Sequence, residues 1–356
     1  KNFKRYELRF KIDGNTLYCG IPNGKISIID KLKQADIEKL PVDENGIRIA
    51  DIDGEAIPIG NKNALEKIGE AVENTLEQLK KLGWTTDDIN LFNNTFKGTK
   101  TLENAKSWKL LKEAGRTQLM KNADVLETLT RIRNHPQLSS FGLTDKILVG
   151  LKGSGLGEKI SYKVLLEEIE TFMTHFNPKD IEQFSHLVRD LQKGGTWTEG
   201  AEWTLRYLNQ NTINFKGRKL VFEQIEKWGD IENKIIRITD VTDKTMDNFK
   251  IFYEFKSVKE VPPNGFVKQF INDLSRREVQ SLEQIKWIFD GKKIVFLPQD
   301  KFIKVLEDSK DILFNNSKAK ILLEKEFGKK FIDSDDLIES LINDKKWFNK
   351  VFQKVD

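Results

Sequence analysis

The sequence predicts an α+β or α/β protein in which a mixed sheet is flanked by helices. A helical region and a small β-rich N-terminal segment precede it. Three observations carry that expectation. Residues 1–60 hold short alternating runs broken by DGN, PNG and ENG turn signals. Residues from about 105 to 190 follow a helical period. From residue 194 the order becomes helix, three strands, helix, strand.

The elements follow in order. YELRFKI, TLYCGI, GKISIID and GIRIADI read as strands, and ALEKIGEAVENTLEQLKKL over 64–82 reads as an amphipathic helix ended by Gly83. Helical segments are then expected around SWKLLKEA, ADVLETLTRIRN, KVLLEEIETFMTHF and IEQFSHLVRDLQ. Gly153, Gly155 and Gly157 in KGSGLGEK are read as a loop between helices. No strand leads into them and no acidic ribose ligand is placed, so a nucleotide-binding loop is not expected. Past 194, the helix TEGAEWTLRYLNQN precedes the strand RKLVFEQIE. The β-type runs Ile235–Val241 and Phe249–Val258 flank the polar turn Thr242–Asn248 as a hairpin. FVKQFINDLSRRE is the next helix and IKWIFDG the next strand, before KKIVFLP and a helical tail from about 300 to 347. The expected divisions are 1–100, 101–192, 193–300 and 301–356.

Composition narrows the chemistry. With 356 residues, 38% hydrophobic and 32% charged, the chain can bury more than one core. No run approaches the ~20 apolar residues that span a bilayer. The start, KNFKRYELRFKID, has no apolar signal core and no initiator Met, so a fragment of a longer polypeptide is expected. Cys19 is the only cysteine, which excludes internal disulfides and thiolate clusters. His135, His175 and His186 lack ligand-like spacing, so any metal is expected on carboxylates. A net charge of +4 permits a nucleic-acid partner only through a local patch.

The chemistry concentrates in IIRITDVTDKTMDNFKIFYEFKSV, residues 235–258. Asp240 ends the first strand, and Glu254 and Lys256, two apart on the second, point to one face. Isolated buried charge is expensive, so charges among aromatic neighbours need a reason. An exposed Glu–Lys pair on an edge strand is the plain alternative. An Asp and a Glu brought together can instead hold a divalent cation through oxygen, with the Lys orienting or deprotonating a water.

The Asp one hairpin before a Glu-x-Lys triplet, on strands in this order, resembles the PD-(D/E)xK nuclease superfamily with its restriction-endonuclease-like fold. Asp240 matches the family's Asp and Glu254-x-Lys256 its triplet, while Thr239 stands where the family often has Pro. GTWTEGAEWTLRYL, FYEFKSVKEVPPNGFVKQFINDL and LEQIKWIFDG resemble C-terminal toxin regions of large bacterial polymorphic toxins. SWKLLKEAGRTQLMKN and FGLTDKIL match the helical segment before them. The resemblance covers roughly residues 100–300.

It implies a metal-dependent nuclease toxin acting on DNA, with RNA as the alternative substrate. Mg²⁺, with Mn²⁺ able to substitute, would sit on Asp240, Glu254, the Phe255 carbonyl and the helix carboxylate Glu199, with Glu202 as fallback. Lys256 would act on the water, and Gln269 would stand near the scissile phosphate. It further implies an effector delivered into the cytoplasm of a target bacterium and neutralised by an immunity protein. A non-catalytic interaction module is the rival from another class. Asp243 and Asp247 are weaker ligand candidates, and KGRK, SRRE and GKKI are candidates for phosphate contacts. Trp203, Tyr207, Trp287, Phe289 and Phe255 are expected in the core.

Overall fold

The structure is a computed structural model. It describes residues 9–13, 16–20, 48–52, 55–59, 78–96, 101–152, 158–228, 235–246 and 248–356. The expected strand GKISIID, most of the helix 64–82, the loop glycines 153–157 and Asp247 lie outside the described residues. The chain divides into two compact units, Lys1–Lys106 and Ser107–Asp356.

In the first unit, β1 (Arg9–Asp13) pairs antiparallel with β2 (Thr16–Gly20), and β3 (Arg48–Ile52) with β4 (Glu55–Ile59). Two of the four expected runs thus form one hairpin, and GIRIADI opens another. Helix α1 (Thr86–Thr95) starts at a capping box: Asp88 N–H donates to Thr85 Oγ1, and Thr85 N–H donates back to Asp88 Oδ2. Helix α2 (Leu102–Glu113) crosses the division between the units.

The second unit is α+β, built on one six-stranded mixed sheet flanked by helices. After α2 come α3 (Ala123–Arg133), α4 (Asp145–Val149) and α5 (Glu158–His175). IEQFSHLVRDLQ, expected to be wholly helical, begins as the short strand β5 (Ile181–Glu182) before α6 (Phe184–Asp190). Then follow α7 (Gly195–Gln210), α8 (Thr212–Phe215), β6 (Leu220–Trp228), β7 (Ile235–Asp243) and β8 (Ile251–Lys256). Helix α9 (Phe266–Leu274) connects to β9 (Ile285–Asp290). The tail forms α10 (Gln299–Glu307), α11 (Lys310–Asn315), α12 (Ser317–Phe327), α13 (Ser334–Asn343) and α14 (Lys346–Val351), and ends in a strand, β10 (Phe352–Val355).

The strand order is β10-β9-β8-β7-β6-β5. β6, β7 and β8 form an antiparallel meander, while β9 lies parallel to β8, β10 to β9 and β5 to β6. A parallel pair needs a crossover, and α9 supplies it between β8 and β9. Its Phe266, Phe270, Ile271 and Leu274 recur at helical spacing and are all buried. They pack with Trp287 and Phe289 of β9. The opposite face carries α7: Trp203 donates its indole N–H to the Ile288 carbonyl at 3.0 Å, and Tyr207 meets Phe255 at 5.2 Å between ring centroids. The five aromatics expected in the core are all buried.

Neither flanking region stands apart from the sheet. Phe172 of α5 and Phe184 of α6 stack at 4.2 Å and meet Phe222 of β6 edge-on. From the tail, Phe302 and Phe348 lie 5.0 and 4.7 Å from Phe352 of β10. β10 was not anticipated, because FQKV is too short to show a strand period beside a helical stretch.

Candidate functional site

The site arises where the meander loses its regularity. β7 pairs with β8 only over Val241–Asp243, opposite Ile251–Tyr253. One register step further would set Asp240 opposite Glu254, but the strands have diverged. On its other edge, β7 follows β6 throughout except at one step, where Glu223 would meet Asp240. Glu223 has φ +49°, a left-handed conformation that a non-glycine residue rarely takes inside a strand. Three carboxylates, Glu223, Asp240 and Glu254, therefore lie along one line across three strands, at the point where both ladders break.

They open into a cleft of about 350 Å³. Helix α7 contributes Thr196, Trp197, Gly200, Ala201 and Thr204 to it, β7 contributes Ile238, and Lys256 and Gln269 line it too. Glu254 is only 2% exposed. Lys256 Nζ donates to Glu254 Oε2 at 3.2 Å and to Gln269 Oε1 at 3.1 Å, and lies 4.8 Å from the centre of the Trp287 ring. The Phe255 N–H, freed from the ladder by the divergence, donates to Asp240 Oδ2 at 2.6 Å. Of the residues expected in the site, Asp240, Glu254, Phe255, Lys256 and Gln269 thus come together.

Glu199 does not join them. It pairs with Lys293 at 3.2 Å, and neither it nor Glu202 lines the cleft. Helical periodicity explains this: Thr196, Trp197, Gly200, Ala201 and Thr204 form the stripe facing the sheet cleft, and position 199 falls off it. Asp243 is buried and structural, accepting from Arg218 Nη1 at 2.6 Å and from the Thr245 N–H at 2.9 Å. Of the basic runs, Arg218 is committed to Asp243, Lys293 to Glu199, and Arg276 is buried.

Beneath the site lies an ionic network that the sequence reading missed. Arg237 Nη2 stands 2.7 Å from Glu254 Oε1, an ion pair outside hydrogen-bond alignment. Arg237 also donates to Asp273, from Nε to Oδ1 at 2.9 Å and from Nη2 to Oδ2 at 3.2 Å. Asp273 further accepts from Arg276 Nη2 at 3.0 Å and from the Trp287 indole at 3.1 Å. Arg276 then pairs with Glu226 on β6. Burial alone would raise the Asp273 carboxyl, but Arg237 and Arg276 outweigh it and hold it below the usual carboxylate range. The missed residues did carry a signal. A Glu in LVFEQIE and an Arg in IIRIT are charges inside apolar strands, the same oddity that marks Glu254.

Asp240 is pushed up to about 7, by burial first and by the Glu254 charge second, against the opposing effects of Lys256, the Phe255 N–H and Arg237. Glu223 is pushed up to about 8, by burial and then by Asp240, Asp190 and Glu254, with Lys193 opposing. Both hold their protons more tightly folded than unfolded. Their stabilising contribution is complete below the ordinary carboxylate range, near pH 4, and is lost as pH rises through about 7 to 8. In EDTA, the midpoint of thermal unfolding is therefore expected to fall across that window, and Glu223→Gln is expected to flatten the fall. A midpoint that climbs over the same range would contradict the assignment.

Among the described residues, no group of three or more His, Cys, Asp or Glu side chains is arranged to hold a metal ion, and no helix is long and apolar enough to cross a membrane. Compared with models of known families, with curated proteins and with solved structures, the chain matches none.

Proposed function

We propose that this cleft is the catalytic centre of a metal-dependent nuclease that hydrolyses DNA on a restriction-endonuclease-like core. The observation that carries the reading is the set Asp240, Glu254 and Lys256: two carboxylates across diverging strands, with an ammonium group two residues beyond the second. The order α7, β6, β7, β8, α9, β9 supports the same reading.

The residues fit a small hard cation. Mg²⁺ is commonly held by only one or two carboxylates, with water and substrate phosphate completing its shell. Asp240 and Glu254 would provide these, with the Phe255 carbonyl beside them and Mn²⁺ as a substitute. Burial first and the Glu254 charge second drive Asp240 towards protonation, and a bound cation would offset that cost. When bound, the ion would stabilise charge developing on the scissile phosphate.

The chain's own groups do the rest. Gln269 and Glu254 fix the Lys256 side chain from two sides, so that its ammonium group can orient the attacking water, or its neutral amine, the proton having left to solvent, can deprotonate it. Arg237, clamped by Asp273, keeps the Glu254 carboxylate from rotating. Glu223, rather than Glu199, is the further carboxylate of the cleft. On the same reading the chain is an antibacterial effector acting in a target bacterium's cytoplasm and restrained by an immunity protein, a role supported by the sequence resemblance alone.

The test is incubation of the purified chain with plasmid DNA and with total RNA, each in Mg²⁺ or in EDTA. Loss of DNA in Mg²⁺ alone is expected. Loss of RNA alone would keep the site and change the substrate. A folded chain that cleaves neither would make the sheet an interaction module.

A further inference from the structure

Two exposed apolar surfaces, one on α7 and one on β6 and β7, each give a residue, Trp197 and Ile238, to the lining of the cleft. On the α7 side Trp197 is 61% exposed, whereas Trp84, Trp108, Trp203, Trp287 and Trp347 are buried. The Lys193 ammonium group lies 4.4 Å from the centre of the Trp197 ring, held there by Asp190 at 2.5 Å. The other surface is the arm formed by β6 and β7 beyond the pairing of β7 with β8. Ile225 is 59%, Ile236 57% and Ile238 43% exposed.

Register explains why these isoleucines form a ridge. Ile225 pairs with Ile238 and Lys227 with Ile236, and opposite residues of an antiparallel pair share a face. The other face of the arm is engaged: Arg276 pairs with Glu226 and lies over Trp228. Single exposed apolar residues are ordinary. Here an indole and an isoleucine line the same cleft as Asp240, Glu254 and Lys256, with a cation beside the indole.

We infer that Trp197 and the isoleucine ridge receive an unpaired nucleobase, so that the cleft takes single-stranded or locally unstacked nucleic acid in preference to intact duplex. The inference rests on the nuclease reading of the same cleft. Every base has a π-face, so an exposed indole serves any sequence. A duplex keeps those faces inside its stack and cannot offer them to Trp197. Lys193 and Lys227 stand where the strand's phosphates would pass, and long-range attraction to them falls with salt. A protein partner would also cover an apolar ridge, but it would not need the ridge to continue into a cleft of carboxylates and lysine.

The test separates binding from cleavage. The whole chain in EDTA is titrated into a short fluorescein-labelled oligothymidylate, and into the same strand annealed to oligoadenylate, with anisotropy as the readout. The wild type is expected to bind the single strand more tightly than the duplex. Trp197→Ala is expected to weaken single-strand binding by about fivefold to a hundredfold, and Trp197→Phe to restore most of it. Unchanged binding by Trp197→Ala, equal affinity for the duplex, or no binding of either probe would each overturn the inference. If the overturning result came with a change in oligomeric mass for Trp197→Ala, the ridge would be reassigned to a protein contact. Metal-dependent cleavage of plasmid stands or falls separately, so failure of the stacking site and failure of the nuclease reading are distinguishable.

Discussion

On the nuclease reading proposed above, Lys256→Ala is expected to leave a folded chain whose hydrolysis of DNA is slower by about 10²- to 10⁴-fold, the usual contribution of a positioned proton-transfer group. The size of the effect follows from how little freedom the ammonium group has. It is fixed by Glu254 on its own strand, by Gln269 on α9, and by the Trp287 ring beneath it. An alanine there leaves Glu254 paired with Arg237, so no buried charge is stranded and the melting midpoint should move little. Initial rates on plasmid, with a thermal melt of the same sample, check both halves. Asp240→Asn should lose activity by a different route. Its Mg²⁺-dependent gain in melting midpoint should shrink, because stabilisation of the folded state grows with the logarithm of the ion's affinity. An active Lys256→Ala enzyme would remove the lysine from the chemistry.

The fold was legible where local pattern and tertiary role agree. α9 reads as a helix because Phe266, Phe270, Ile271 and Leu274 make one buried stripe, and β8 reads as a strand because Phe252, Tyr253 and Phe255 are β-formers that end up buried. β5 and β10 were not legible: each is a short run whose strand character comes only from a neighbour in the sheet, β6 for one and β9 for the other. In the site, strand alternation put Glu254 and Lys256 on one face, while Asp240 was singled out by the preceding hairpin and the family resemblance. Glu199 was misplaced because the angular setting of α7 is fixed by Trp203 reaching the Ile288 carbonyl, a contact across 85 positions of sequence. Glu223 was hidden for a related reason. Its place beside Asp240 depends on a left-handed backbone angle and on register with β7, and neither is written in LVFEQIE.

Asp273→Asn is expected to be the most destabilising single-atom change at this end of the sheet, by about 3–5 kcal/mol, the range for removing one member of a buried ion pair. Asp273 is 1% exposed and answers two guanidinium groups and an indole. The carboxamide can still accept at one oxygen. It cannot neutralise either arginine, and its amino group would be turned towards donors. Arg276 retains Glu226, so the uncompensated charge falls mainly on Arg237. Glu254 is then the one carboxylate still paired with Arg237 in this network, and it loses the fixed bearing that Asp273 gives it. The loss should therefore appear twice: as a lower denaturation midpoint, and as weaker stabilisation by Mg²⁺ in the molecules that remain folded. A double-mutant cycle isolates the cause. In an Arg237→Met background the same Asp273→Asn change should cost markedly less, because the charge it strands is already gone. Equal costs in the two backgrounds would mean that Asp273 is held for packing alone, and that Glu254 is oriented by Lys256 without help from beneath.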